Sequence, residues 1–304
     1  MLDFECRLRA QRRLGYPTSL NEGIWPCRVS PPISTISSTR YRFSSDFPQL
    51  LKPGSKVWSS RYPINGLPPN FLRCFSEHRL ELALIDTPQG DWDAGERGLA
   101  ALPGREAEFR AGVQRAAEYA QVMRAGAVHL IAGVVPPETD LEAAKATYLE
   151  NLKYGAEILS QRGVTAVIEP INPLQGDIDG GETYTTYGMR GFYLTRTEQA
   201  LRAIEAVGHP NLYLHLDFYH MQLTEGRLAD TITRHIRRIK HLQIAGVPGR
   251  NEPSRGEINY SYLFDLIDRL EFKGWVGCEY RPFGETVAGL GWATAYGIGS
   301  RYPR

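Results

Sequence analysis

Residues 212–245 read LYLHLDFYHMQLTEGRLADTITRHIRRIKHLQIA. Leu212–Asp217 is a short apolar run of strand type, Leu228–Arg237 an amphipathic helical stretch and His241–Ala245 a second strand. Two strands joined by a helix imply a parallel pair with a right-handed crossover. The unit repeats on both sides. Further strand candidates are Glu81–Ile85, Val128–Ala132, Ala166–Glu169 and Val276–Tyr280; helix candidates are Arg105–Ala125, Leu141–Arg162, Thr197–Val207, Tyr260–Leu270 and Glu285–Tyr296. These units fit either an open doubly wound sheet or the last six of a barrel. The glycine-rich GxGxxG turn that a dinucleotide-binding sheet carries after its first strand is missing. The fold class is therefore read as α/β, a (β/α)8 barrel, with its first two strand-helix units to be found in residues 1–78.

That first segment differs from the rest. It holds Cys6, Cys27 and Cys74, and no helical or strand period persists in it for more than a few residues. Three regions are expected: an atypical N-terminal segment at 1–78, a barrel at 79–296 and a C-terminal tail at 297–304. The run Val57–Pro63 can be encoded by DNA whose neighbouring frame gives Val-Glu-Phe-Pro, so a frame-shifted barrel start is one expectation and a divergent extension the other. A barrel lacking two strands would expose sheet edges, which leaves an inactive barrel fragment as an alternative.

The balance of 35 basic against 34 acidic residues gives no electrostatic footprint for nucleic acid or anionic membranes. A small neutral or singly charged substrate fits better. No apolar run is long enough for a membrane helix or signal peptide, and the four cysteines lack CxxC spacing, so a cytoplasmic protein with reduced thiols is expected.

Catalytic groups of a barrel project from the C-terminal ends of its strands. Near those ends lie Asp86, His129, Glu169, Asp217 with His220, Gln243 and Glu279. Glu169, Asp217, Gln243 and Glu279 would make an oxygen-rich site suited to Mg or Mn rather than zinc. Each has a bland reading too: Glu169 could meet solvent before Pro170, and Asp217 could cap the next turn. Their shared placement at successive strand ends favours the functional reading. His129, inside a strand, is read as core packing; His220 is a candidate substrate contact, and Arg250 a candidate grip for a substrate carboxylate. Asp91 to Gly104 is read as a long loop over the barrel mouth.

The segments Asp86-Thr87-Pro88-Gln89-Gly90-Asp91, Leu102-Pro103-Gly104-Arg105, Glu169-Pro170-Ile171-Asn172, Asp217-Phe218-Tyr219-His220, Gln243 to Arg250, Gly256-Glu257-Ile258-Asn259-Tyr260 and Gly277-Cys278-Glu279-Tyr280 together resemble the hydroxypyruvate isomerase family. That family is similar to the 2-oxo-tetronate isomerases among the xylose-isomerase-like barrels. The resemblance implies a metal held by Glu169, Asp217, Gln243 and Glu279, with Glu169 and Glu279 also carrying the proton through an enediolate. It implies no organic cofactor. Endonuclease-IV-like phosphodiesterases share the barrel but bring histidine clusters and a basic surface, neither of which the sequence displays.

Overall fold

In a computed structural model of the chain, residues 5–8, 43–46, 80–92, 94–174 and 188–296 are described. The frame-shift expectation and the C-terminal tail lie outside these residues, apart from two short strands. Strands β4 (Leu84–Asp86), β5 (Ala127–His129), β6 (Thr165–Ile168), β7 (Leu212–Asp217), β8 (Ile239–Ile244) and β9 (Trp275–Cys278) pair in sequence order, each parallel to the next. The earlier strands are β1 (Glu5–Leu8), β2 (Phe43–Asp46) and β3 (Leu80–Leu82). They complete a sheet ordered β3-β1-β2-β9-β8-β7-β6-β5-β4. β2 runs parallel to β9, whereas β1 is antiparallel to both β2 and β3. The start of the barrel is atypical in this specific sense. The order begins at β3 and ends at β4, two strands separated along the chain only by Ala83.

Period-two alternation sorts the strand side chains into two sets. Ile85, Val128, Ile168, Leu214, Leu216, Leu242, Ile244 and Val276 belong to the main core between sheet and helices. Leu84, Ala127 and Val167, with Tyr213 against them, form a separate small cluster on the opposite face. The sheet is thus apolar on both sides for much of its length, as a parallel barrel sheet requires.

The helices seal the outer face. Helix α1 (Glu106–Met123) buries Phe109, Val113, Ala116, Ala117 and Ala120, a spacing of three and four that gives one apolar stripe. It ends at Arg124 in the left-handed conformation, whose N–H meets the Gln121 carbonyl at 3.3 Å. Helix α2 (Leu141–Gln161) starts under an Asp140 side chain that accepts from the Glu142 N–H at 3.0 Å. α3 (Thr197–Val207), α5 (Leu228–His235) and α6 (Tyr260–Arg269) follow at the expected places. Helix α4 (Phe218–Thr224), directly after β7, is too short to show in the sequence pattern.

The segment after β4 is anchored rather than free over the mouth. Ala100 and Ala101 donate to the carbonyls of Ile131 and Ala132 at 3.1 and 2.8 Å, and Leu99, Ala100 and Ala101 are buried. Two glycines permit this approach: Gly98 has φ +122°, and a Cβ there would press into Ile131 and the backbone of Gly133.

Candidate active site

Each of the four predicted metal ligands lies at the C-terminal end of its strand, whereas His220 sits in α4 and Arg250 on the loop after β8. Glu169 follows β6, Asp217 ends β7, Gln243 sits one residue before the end of β8 and Glu279 follows β9. The register pairs Asp217 with Gln243 and Ile244 with Cys278, which puts these groups at one level of the sheet. Glu169, Asp217 and Gln243 are buried, and the Glu279 side chain retains 22% of its exposure.

Two basic side chains organise the carboxylates. Arg250, on the loop after β8, places Nη2 2.8 Å from Glu279 Oε2 and 3.2 Å from Asp217 Oδ2. Its backbone is left-handed at φ +52°, and its carbonyl accepts from Arg281 N–H at 2.7 Å, which ties the loop to the segment after β9. Arg250 therefore meets the site's own carboxylates, where the sequence reading gave it a substrate carboxylate. His220 lies with Nε2 3.6 Å from Asp217 Oδ2 and 4.0 Å from Glu169 Oε1. Its Nδ1 accepts from the Asn172 side-chain amide at 2.7 Å, so the ring proton sits on Nε2 and points toward the carboxylates. Asp217 also caps α4, since its Oδ1 accepts from Tyr219 N–H at 2.8 Å. The capping reading of Asp217 therefore holds, and it leaves Oδ2 turned to Arg250 and His220.

Charge is unbalanced at Glu169. Burial first, then the Glu279 and Asp217 carboxylates, push its pKa well above the usual carboxylate range, and Arg250 only partly opposes them. For Arg250 burial works against the charge, but the three carboxylates outweigh it and hold the pKa above its usual value. His220 is pushed well down by burial and by Arg250, so it stays neutral.

A layer of histidines lies one strand step below. His129 Nδ1 is 3.1 Å from Asp86 Oδ1 and 3.7 Å from Glu169 Oε2, so this side chain belongs to the site rather than to apolar core packing. His215 Nδ1 is 3.5 Å from Glu169 Oε2, and its Nε2 is 2.6 Å from Gln243 Oε1. The His215 ring stands edge-on to those of His129 and His241, with centroids 5.6 and 4.8 Å apart. Burial first, then the neighbouring His241 and His129, push the His215 pKa well down. His215 and His241 were not singled out in the sequence. The signal was present: each stands two residues before a predicted ligand, Asp217 or Gln243, and so points to the same face. The site is consequently richer in nitrogen than its strand-end residues alone suggest.

The donor set fits a divalent cation. Glu169, Asp217 and His220 offer ligand atoms within 4.8 Å of one another, as do His129, Glu169 and His215. Glu169 Oε1 is buried without a hydrogen-bond partner, an expensive arrangement for an acceptor unless a positive group meets it. Of the four predicted ligands, Glu169 and Asp217 converge directly. Gln243 stands beside Asp217 with Oε1 on His215, and Glu279 joins them through Arg250.

The family model of the xylose isomerase-like TIM barrel matches residues 53–296. A 2-oxo-tetronate isomerase of Cupriavidus necator is 47% identical over 217 residues, 71% of this chain and 78% of that protein. A hydroxypyruvate isomerase of Escherichia coli is 40% identical over 256 residues, 84% of this chain and 94% of that protein. Among solved structures, a Brucella melitensis protein described as an AP endonuclease of family 2 superposes with a TM-score of 0.70 at 36% identity, covering 77% of this chain and 86% of that one. Among the described residues no helix is long and apolar enough to cross a membrane.

Proposed function

The chain is an isomerase of the xylose isomerase-like TIM barrel family, and from that premise we propose that it interconverts a short hydroxy-keto acid, hydroxypyruvate or a 2-oxo-tetronate, by moving a proton between adjacent carbons. The observation that carries this reading is Glu169: a carboxylate whose pKa is raised first by burial and then by Glu279 and Asp217, with one buried oxygen that has no hydrogen-bond partner. A carboxylate whose pKa is raised is a stronger base than an ordinary one and takes a proton from carbon more readily. Glu279, on the other side of Asp217 and Arg250, is the second proton carrier. Glu169, Asp217, Gln243 and Glu279 would hold Mg or Mn, which when bound polarises the carbonyl and neighbouring hydroxyl oxygens and acidifies the C–H beside them.

The remaining residues bind and orient. The neutral His220 presents Nε2–H to the carboxylate side of the site, a donor for a substrate oxygen, and Asn172 fixes that tautomer. Arg250 can exchange one of its two carboxylate partners for the carboxylate of the substrate, which keeps its buried charge paired throughout. The test is deuterium exchange from solvent into hydroxypyruvate. Glu169→Gln and Glu279→Gln are each expected to abolish it; exchange that survives both substitutions defeats the two-glutamate scheme. The similarity to a protein described as an AP endonuclease favours a second reading, phosphodiester hydrolysis, which nicking of DNA at an abasic site without any substrate exchange would support.

A further inference from the structure

Arg250 can grip a substrate carboxylate only if its guanidinium is held where it meets Asp217 and Glu279, and its own backbone does not secure that. At φ +52° the residue sits in a conformation that a side chain adopts only at a cost, so contacts around the loop must impose it. Those contacts run to the segment after β9, just beyond Glu279. The Arg250 carbonyl accepts from the Arg281 N–H at 2.7 Å, the Asn251 side-chain amide donates to the Arg281 carbonyl at 3.0 Å, and Glu252 Oε1 accepts from the Phe283 N–H at 3.0 Å. Residues 250–252 are thus laced to residues 281–283 by consecutive ties.

Glu252 makes the buried tie. It is 4% exposed, whereas the Asn251 bond is open to water, which competes for it. The arrangement is costly for stability, because Oε2 of Glu252 is buried without a hydrogen-bond partner. A side chain kept for packing alone would be apolar there, so its worth lies in what it fastens. The fold also makes room for it: a Cβ at Gly289 would stand 2.7 Å from Glu252 Oε1. Resting on the reading of Arg250 as the grip for a substrate carboxylate, we propose that Glu252 is a positioning residue, which fastens the loop after β8 to the segment after β9 and thereby sets the Arg250 guanidinium for the acid end of the substrate.

The test is steady-state isomerisation of hydroxypyruvate by the full chain in excess Mn2+. Glu252→Ala is expected to raise KM about 10-fold or more, the cost of misplacing a charged hydrogen-bond donor, and to leave kcat within about threefold, because a grip on the carboxylate acts alike on substrate and transition state. Glu252→Gln keeps an oxygen of the same shape for the Phe283 N–H and should hold KM within about twofold of wild type. Gly289→Ala displaces the end of the Glu252 side chain from the other side; the same rise in KM is expected, and this variant decides the matter where Glu252→Ala fails to fold. In an Arg250→Met chain, where the grip is already gone, Glu252→Ala should change KM by less than about twofold. An unchanged KM in Glu252→Ala, a rise that Glu252→Gln shares, a fall in kcat alone, or an equal rise in both backgrounds overturns the proposal. A wild-type chain that isomerises neither hydroxypyruvate nor a 2-oxo-tetronate removes the reading of the site itself; an active chain whose KM ignores Glu252 removes only this inference.

Discussion

Replacing Arg250 by methionine tests the electrostatic logic of the site. The side chain keeps its approximate length but withdraws the guanidinium that lies 2.8 Å from Glu279 and 3.2 Å from Asp217. At an effective dielectric constant of about 20, each of these contacts is worth roughly 5–6 kcal/mol before desolvation is charged against it. Net losses on removing one partner of a buried pair are smaller, about 3–5 kcal/mol. The cluster also has an escape, since a carboxylate of ordinary pKa can take up a proton at pH 7 for about 4 kcal/mol. The expected loss in the metal-free protein is therefore about 3–4 kcal/mol, which lowers the melting temperature by roughly 6–16 °C for a domain of this size. Saturating Mn2+ should narrow the gap, because a divalent ion neutralises the same carboxylates and stabilises by mass action. The assay is thermal unfolding of wild type and Arg250→Met in EDTA and in excess Mn2+. Equal melting in EDTA, or a gap that Mn2+ leaves unchanged, would refute the assignment of Arg250 as the charge partner of this cluster.

Two further outcomes follow from the same structure. Gly98→Ala places a Cβ 2.8 Å from the Gly133 nitrogen and 2.9 Å from the Ile131 carbonyl at φ +122°, so it should lower the denaturant midpoint by an amount equivalent to more than about 2 kcal/mol; a midpoint within error of wild type would mean that the anchored segment is held otherwise. His215 and His220 have depressed pKa values in the fold, so the stability tied to their neutrality is present above the unfolded value of about 6.5 and is lost as pH falls below it, by up to about 2.7 kcal/mol per pH unit for the two together. Glu169, with a raised pKa, acts in the opposite direction, its stability contribution being lost as pH rises. Glu169→Gln should accordingly steepen the acid decline of the metal-free protein in denaturant titrations between pH 6.5 and 5, and an unchanged or shallower slope would refute this balance.

Much of the barrel was legible because each strand had a clean apolar run and each helix a three-and-four spacing. Leu212–Asp217 and Thr197–Val207 occur with the boundaries read from sequence, and the other strands and helices shift by one to three residues. The expected strand Glu81–Ile85 is two strands broken at Ala83, one pairing back to β1 and one forward to β5, a change of partner that no local pattern records. Helix α4 escaped for a different reason. Its seven residues hold together through the Asp217 cap and burial of Phe218, Tyr219 and His220, not through any period. Arg250 stood out in the sequence as a candidate, but its partners depend on a left-handed backbone and on Arg281, some thirty residues away in sequence.

The histidine layer shows what reading strand ends alone leaves out. A strand that delivers a ligand at position i also delivers position i−2 to the same face, so Asp217 brings His215 and Gln243 brings His241. On β6 the residue below Glu169 is Val167, which joins the apolar cluster with Leu84 and Ala127. Glu169 therefore stands on an apolar floor with imidazoles beside it: among the described residues Val167 lies below, and His129 and His215 approach the flank of Oε2. That asymmetry accounts for the direction of its titration. Burial and neighbouring carboxylates raise the pKa, and Arg250, already engaged with Asp217 and Glu279, only partly opposes them. A Val167→Lys substitution would set a charge beneath the carboxylate and make Glu169 a weaker base, so on the proposed reading, in which Glu169 takes the substrate proton, deuterium exchange from solvent into hydroxypyruvate should slow; exchange at the wild-type rate would refute this account.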